Sequence, residues 1–181
     1  MAGREQNLWA PWRIGYLEGL ADDTADQPED RTCFLCEAVR DGLSESQLSD
    51  RLVLVSDQRG VLMLNRYPYI NGHLLAAPRR HVGDLADLTP TQRADLMELA
   101  VLGQQALRQV MNPQGFNIGM NLGRCAGAGV PGHAHLHVVP RWHGDVNFMR
   151  VVGEVRVIPQ ALATSYSALK KAVERIAPAG S

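Results

Sequence analysis

The stretch HAHLHVVPRW, residues 133–142, places a histidine at every second position between apolar residues. Such alternation predicts a β-strand, and side chains two positions apart on a strand project from the same face, about 6.6 Å apart. One face of this strand is therefore expected to carry His133, His135 and His137, while the other face packs against a core. The residues alone leave three readings of that face: a polar surface that happens to use histidine, a three-histidine metal site, or a site for phosphate chemistry.

Three apolar runs upstream of this stretch predict further strands. They are RLVLVSD (51–57), GVLMLNRY (60–67) and GHLLAAP (72–78), and Arg59-Gly60 is suited to a hairpin turn between the first two. The intervals between these runs are too short for helical crossovers. An antiparallel meander is therefore expected.

Two helices and a fourth strand complete the predicted elements. A capping signal at Thr89 begins the first helix, which is expected to end before Asn112-Pro113. FNIGMNLG (116–123) predicts the strand that precedes the histidine stretch, and an apolar stripe predicts a last helix over about residues 160–176. Strands flanked by separate helices indicate an α+β fold, with an antiparallel meander sheet of about five strands and two main helices.

Length, composition and charge exclude several classes of protein. The chain has 181 residues, 45% hydrophobic and 20% charged, which is typical of one globular domain. A net charge of −1 disfavours a protein that binds nucleic acid non-specifically. No apolar run approaches the ~18 residues of a membrane span, and the first residues lack the apolar core of a secretory signal. With three cysteines, an odd number, the chain is expected to be cytoplasmic, in a reducing compartment.

The first 32 residues differ in composition from the rest. They contain Trp9 and Trp12, followed by an acidic stretch, ADDTADQPEDR (21–31). We expect residues 1–32 to form an N-terminal aromatic and acidic arm and residues 33–181 to form the domain. The arm either packs through its tryptophans or contacts a partner or substrate.

Several motifs in the same order resemble the histidine triad (HIT) family of nucleotide hydrolases and transferases. The His-x-His-x-His pattern at 133–137 carries the resemblance, together with LNRYPYINGHLLAAPRRHV (64–82). Downstream, PRWHGDVNFM (140–149) and VIPQAL (157–162) are similar to the branch that includes diadenosine tetraphosphate phosphorylases. The resemblance implies a HIT-like fold and an enzyme that cleaves dinucleoside polyphosphates at the α-phosphorus.

The resemblance also assigns catalytic roles to four histidines. His135 would be the nucleophile that forms a covalent nucleotidyl intermediate, which divides one displacement into two easier ones. His137 would hydrogen-bond phosphate oxygens or the leaving oxygen, His73 would help to orient the triad, and His133 is the triad's first member. A neutral imidazole is available for these roles near pH 7.

Nucleotide contacts are expected from two asparagines and a glycine-rich loop. By resemblance, Asn65 would bind the ribose hydroxyls and Asn121 would contact the α-phosphate. Gly127 and Gly129 lie in the loop GRCAGAG (123–129), where glycine lets backbone N–H groups approach phosphate. The alternatives are a flexible connection for the loop and a strand end for Asn65. By resemblance, Asp145 and Asn147 order a loop of this branch, and Trp9, Trp12 and Trp142 either frame a base or pack in the core.

A Cys-x-x-Cys pair, Cys33 and Cys36, suggests a metal site. Two thiolates at this spacing can share one zinc ion, but a tetrahedral structural site needs two more ligands. By resemblance to zinc-containing HIT proteins, His81 and His133 would complete a structural zinc site. A redox pair and two ordinary thiols remain the alternatives, and no organic cofactor is expected.

One position departs from the pattern of the hydrolase branches. Those branches have Gln four residues before the first triad histidine, where this chain has Gly129. The departure favours inorganic phosphate over water as the second acceptor. A hydrolase of dinucleoside polyphosphates or adenosine phosphoramidates and a non-catalytic zinc-stabilised nucleotide-binding module remain alternatives. The resemblance also implies a homodimer that pairs through the long helix and a strand edge.

Overall fold

The computed structural model describes residues 33–145 and 160–177. Four helices, five strands and a short 3-10 helix at Leu85–Asp87 make up these residues. The helices are α1 (Phe34–Ala38), α2 (Glu45–Asp50), α3 (Pro90–Met111) and α4 (Leu162–Ile176). The strands are β1 (Val53–Asp57), β2 (Gly60–Leu64), β3 (Leu74–Ala77), β4 (Gly115–Met120) and β5 (Leu136–Arg141). The predicted arm, with Trp9 and Trp12, and Asn147 lie outside the described residues.

The five strands form one antiparallel sheet in the order β1-β2-β3-β5-β4. This confirms the predicted α+β class, the number of strands and the meander of the first three. The pairing Asp57↔Gly60 closes the predicted hairpin. After β3 the order is no longer sequential, because α3, roughly 33 Å long at 1.5 Å per residue, separates β3 from β4. The chain reaches the outer position first and returns beside β3 as β5.

Strands β2 and β3 are buried on both faces, which explains why their sequences are apolar at every position. Leu62, Leu64 and Leu74 belong to the larger core that α3 and α4 complete. The residues that alternate with them, such as Val61 and Met63, belong to a smaller core that α1 completes on the other face. The metal-site candidates in and beside α1 are thereby held close to the sheet.

The two long helices begin and end near the predicted residues. The Thr89 hydroxyl accepts a hydrogen bond from the Gln92 backbone N–H, and the Thr89 backbone N–H donates in return to Gln92 Oε1, a capping box with Pro90 in the first turn. Asn112, in the left-handed conformation, ends α3. Within residues 33–145 and 160–177, no helix is both long and apolar enough to span a bilayer.

The edge of β1 is covered by side chains of α4. The Tyr166 hydroxyl donates to the Val53 carbonyl at 3.1 Å, and the Lys170 ammonium donates to the Leu54 carbonyl at 3.2 Å. Among the described residues, β4 at the opposite edge pairs only with β5. Its residues are exposed or half-buried along their whole length.

Candidate active site and metal centre

The three histidines of the 133–137 stretch do not share one strand face. Strand β5 begins only at Leu136, so His133 and His135 lie in the segment that leads into it and only His137 is paired in the sheet. His133 is fully buried and His135 is 5% exposed. The interpretation of this face as a polar solvent surface is therefore wrong. Burial of several imidazoles requires specific partners for their nitrogens.

His73 and His137 form a hydrogen-bonded pair whose proton positions follow from the backbone. The Tyr69 N–H donates to His73 Nδ1 at 3.1 Å, so that nitrogen carries no hydrogen and Nε2 is the protonated one. His73 Nε2 lies 2.9 Å from His137 Nδ1 and donates to it. His137 therefore carries its hydrogen on Nε2.

The Nε2 of His137 is buried and has no hydrogen-bond partner among the described residues. Burial, and then the nearby His135, lower the pKa of His137 to about 4. The ring is therefore neutral near pH 7, and its Nε2–H is a donor available to an acceptor on a ligand. An anionic oxygen on a ligand would satisfy this donor.

His135 presents the complementary group. Its Nδ1 lies 2.8 Å from the carbonyl oxygen of His133, and because a carbonyl only accepts, Nδ1 carries the hydrogen. The lone pair is then on Nε2. The rings of His135 and His137 meet edge to face with centroids 5.0 Å apart, so a nucleophilic nitrogen and a donor N–H lie in one buried corner.

Asn65 lies at the end of β2, beside His73. Its Oδ1 accepts from the Tyr67 N–H at 3.0 Å, and its Nδ2 lies 3.3 Å from His73 Nδ1. This position places Asn65 next to the histidine pair, where its side chain supports His73.

The glycine-rich loop has a more closed backbone than the predicted cradle. The N–H of Gly127 donates to the Arg124 carbonyl at 2.8 Å, and the N–H of Ala128 donates to the Gly123 carbonyl at 3.3 Å. Asn121 Nδ2 donates to the Gly127 carbonyl at 3.4 Å. Two amides of the loop thus serve its own turns, so phosphate binding there would use other donors.

Four side chains converge at a second centre. The ligand atoms of Cys33, Cys36, His81 and His133 all lie within 4.8 Å of one another. Cys36 Sγ lies 3.2 Å from His81 Nδ1, and His133 Nδ1 lies 3.4 Å from Cys33 Sγ and 3.5 Å from Cys36 Sγ. In a tetrahedral zinc site with bonds of about 2.3 Å to sulfur and about 2.05 Å to nitrogen, S···N separations are about 3.6 Å. The cluster therefore fits a metal ion of that kind.

The protonation of the cluster supports the same conclusion. His133 Nε2 lies 2.9 Å from the Pro78 carbonyl oxygen and must donate to it, so the Nδ1 lone pair points toward the two thiols, a typical arrangement for a metal-binding histidine. Burial raises the pKa of Cys36 to about 11, with further contributions from Cys33 and Glu37. A cation among the four groups would stabilise the thiolate. Because His133 turns to the thiols while His137 bonds His73, the geometry does not support a metal held by the three triad histidines.

Sequence reasoning missed several supporting groups. The Tyr69 N–H orients the imidazole of His73, and the Pro78 carbonyl orients that of His133. Backbone groups such as these leave no signal in a sequence. Asp145 accepts from Trp142 N–H at 3.2 Å and binds Arg141 through both carboxylate oxygens, which ties together the turn over residues 141–145.

The fold and the site together define a histidine triad protein. The HIT domain matches residues 46–144, more than half of the chain, and the protein belongs to this family. An AP-4-A phosphorylase of Mycobacterium tuberculosis is 40% identical over 160 residues, covering 87% of this chain and 78% of the relative. An asymmetrical bis(5'-nucleosyl)-tetraphosphatase of Schizosaccharomyces pombe is 39% identical over 82 residues, covering 45% of this chain and 44% of that protein. Among solved structures, a Zn-bound histidine triad family protein from Mycobacterium smegmatis has a TM-score of 0.63 at 28% identity, covering 80% of this chain and 95% of that one.

Proposed function

We propose that this protein is a nucleotide-processing enzyme that cleaves dinucleoside polyphosphates at the α-phosphorus and passes the nucleotidyl group to inorganic phosphate. The observation that carries the proposal is the arrangement of hydrogen bonds at the histidines. It leaves a lone pair on His135 Nε2 beside an unpaired N–H on His137. A nucleophile and a donor for anionic oxygen are the two groups that the reaction needs.

The proposed reaction has two steps. In the first, His135 Nε2 attacks the α-phosphorus, an N–P bond forms, and the bridging P–O bond breaks. His137 Nε2–H hydrogen-bonds the leaving oxygen, or a phosphoryl oxygen on which charge develops. In the second step an oxygen of inorganic phosphate attacks the same phosphorus and releases His135. With diadenosine tetraphosphate the products are ATP from the first step and ADP from the second.

Two observations favour phosphate as the acceptor. The M. tuberculosis relative, which aligns over 87% of this chain, is named a phosphorylase. A Cβ added at Gly129 would have nothing within 4 Å, so the position where hydrolases have Gln is open. Hydrolysis by water is the second candidate function. The S. pombe relative, named a tetraphosphatase, favours it, with a match that covers a shorter part of this chain.

Incubation with diadenosine tetraphosphate, with and without inorganic phosphate, separates these reactions. We expect phosphate-dependent formation of ADP and ATP. AMP and ATP formed without phosphate would identify a hydrolase instead. Tight nucleotide binding without cleavage of diadenosine tetraphosphate or adenosine phosphoramidate would indicate the non-catalytic module.

We further propose that Asn65, Asn121, Gly127 and Gly129 contact the bound nucleotide. The position of Asn65 beside His73 supports this role for that residue. Asn121 and the two glycines belong to one hydrogen-bonded loop immediately before the triad. The expected sign of such contacts is a rise in KM on substitution, with a smaller change in kcat.

A structural zinc ion held by Cys33, Cys36, His81 and His133 is also part of the proposal. The fit of the four ligand atoms supports it, and so does the Zn-bound M. smegmatis protein of similar fold. The ion would connect the segment at α1 to the segment that carries His135. It would supply no chemistry, since the groups proposed to act on phosphate belong to other residues.

A homodimer is supported by the outer edge of β4, which pairs with no other strand within residues 33–145 and 160–177, and by exposed apolar side chains. Ile118 on β4 is 42% exposed, and Met97 and Val101 on α3 are 52% and 40% exposed. We expect a solution mass of roughly twice 19.8 kDa, measured by sedimentation equilibrium, and a shift toward monomer in Ile118→Lys. Tyr67→Lys is the control and should stay dimeric, because this side chain is 82% exposed and follows β2, which β3 and β5 separate from β4 in the sheet.

The remaining expectations belong to the same proposal. The domain would begin at residue 33, with residues 1–32 as a separate arm. The cytoplasm would be the site of action, which suits three cysteines that form no disulfide. Adenine nucleotides or dinucleoside polyphosphates would be the binding partners, with no role for nucleic acid or a membrane.

A further inference from the structure

The turn that carries His73, residues 69–73, rests on the end of α3. The His73 N–H donates to the Ile70 carbonyl at 3.2 Å, which closes the turn. Gly72 has φ +78°, and a Cβ there would lie 2.7 Å from Met111 Sδ and 2.8 Å from Leu107 Cδ2. The turn therefore packs directly on α3 without intervening space.

A buried hydrogen-bond network holds the same turn from the side of α4. Ser165 on α4 is fully buried, and its hydroxyl lies 3.0 Å from Asn71 Oδ1 and 3.1 Å from Gln160 Oε1. Asn71 Nδ2 donates to Gln160 Oε1 at 3.2 Å. Ser165 has one hydroxyl hydrogen, which the two acceptors share, so its loss would weaken the connection of the turn to α4.

The turn also supplies the shorter of two bonds that keep His73 Nδ1 without a hydrogen, the other being donated by Asn65 Nδ2 at 3.3 Å. Tyr69, at the start of the turn, donates its N–H to His73 Nδ1 at 3.1 Å, and its ring lies over His73 with centroids 4.6 Å apart. The His73 Nε2–H then holds His137 with its own N–H directed away from His73. A displacement of the turn would move the Tyr69 N–H away from His73 Nδ1 and so weaken the control of the His73–His137 hydrogen bond.

We propose that Ser165 and Asn71 are positioning residues for nucleotidyl transfer, which act by holding the 69–73 turn so that the Tyr69 N–H fixes the His73–His137 pair. The inference rests on the proposed function, but the network itself can be tested apart from it. Ser165 and Asn71 are 94 positions apart in the chain. They join the last described helix to the candidate active site.

The first test compares Ser165→Ala with Ser167→Ala. Ser167 lies on the exposed face of the same helix, where its hydroxyl donates to the Ala163 carbonyl of the preceding turn and to no other group that the structure describes. In Ser165→Ala we expect kcat for diadenosine tetraphosphate to fall at least about tenfold while KM changes little, because misplacement affects the reacting groups more than binding. Ser167→Ala should keep kcat within about twofold. Equal kcat in the two variants would overturn the proposal.

The second test uses 15N NMR to determine which ring nitrogen of His73 carries the hydrogen. In wild-type protein the 15N shifts of His73 should report hydrogen on Nε2, and in Ser165→Ala they should move toward a mixture of tautomers. Asn71→Ala should give the same mixture, and Ser165→Ala/Asn71→Ala should add little to either single loss of kcat. Asn71→Ala also covers the case in which Ser165→Ala fails to fold. Unchanged shifts in a folded variant would contradict the positioning role.

The two measurements separate this inference from the proposed function. If wild-type protein turns over no nucleotide, the proposed function fails, and the 15N shifts still decide whether the network controls His73. If wild-type protein is active and the shifts do not respond, the function stands and the inference fails.

Discussion

At the scale of single residues, the chemistry depends on proton positions that backbone groups impose. The Tyr69 N–H and the His133 carbonyl are a fixed donor and a fixed acceptor, so the rings they contact have defined tautomers. The same principle orients His133, whose Nε2–H is held by Pro78. His133 and His135 were predictable from their spacing and His73 from the family resemblance, but the task of each nitrogen was not.

His135→Ala should abolish turnover, with a loss of at least about 1,000-fold in kcat, because no other group would carry the nucleotidyl intermediate. Nucleotide affinity, measured by calorimetry, should stay within a few fold. The control is His143→Ala, at an exposed histidine, which should behave as wild type. Turnover that survived in His135→Ala would show that His135 is not the nucleophile.

His137 should make the protein less stable in acid. Burial and His135 lower its folded-state pKa to about 4, whereas an unfolded histidine titrates near 6.5. Between these values the unfolded chain binds more protons, so the free energy of unfolding falls as pH drops from about 6.5 to 4. Across this pH window, the free energy of unfolding measured in urea should fall further in wild type than in His137→Gln. The extra fall should be on the order of 2 kcal/mol, a value reduced to allow for the partial exposure of the ring. Parallel curves would contradict the shift.

At the scale of elements, short contacts between loops and helices fix the positions of the functional side chains. Helix α3 connects β3 to β4 along the chain, and its last turn supports the 69–73 turn through Leu107 and Met111. Helix α4 covers the edge of β1 and reaches the same turn through Ser165. The helices were predicted from apolar periodicity and capping signals, but their contacts with this turn were not.

Gly72→Ala should cost more stability than Gly42→Ala. Both glycines have similar left-handed backbones, with φ +78° and +74°, so each substitution carries about 1–2 kcal/mol of backbone strain. Only at Gly72 does the added methyl group also meet Leu107 and Met111, which adds about 1–3 kcal/mol. Equal free energies of unfolding, measured in urea, would show that α3 yields to the methyl group.

At the scale of the whole molecule, two centres share the segment that leads into β5. His133 faces the cysteines and His135 faces His137, and the carbonyl of the first accepts a hydrogen bond from the ring of the second. Cys33 and His133 are 100 positions apart. An ion held there would fasten the start of the domain to the segment that carries the proposed nucleophile.

Cys36→Ser should reduce bound zinc from about one per chain to near zero and lower the thermal midpoint. A ligand that binds only the folded state, present at 1,000 times its Kd, adds about 4 kcal/mol to the free energy of unfolding. Cys36→Ser should lose stabilisation of that order. Cys125→Ser, at an exposed cysteine outside the cluster, should keep both metal and stability. A chelator should lower the midpoint of wild type and of Cys125→Ser but leave Cys36→Ser unchanged. Equal metal content in the two cysteine variants would refute the site.

Local patterns in the chain were sufficient for much of this description, because strand alternation, helix periodicity and capping act between near neighbours. They predicted the five strands, the two long helices and the histidine triad, and the resemblance brought together the four residues of the metal centre. Strand order after β3, the tautomers and the Ser165–Asn71 network came from the three-dimensional structure. The His73–His137 bond and the Ser165–Asn71 bond join residues 64 and 94 positions apart. The tautomers also depend on nearby backbone groups, but how these buried donors and acceptors meet is decided only after the chain has packed.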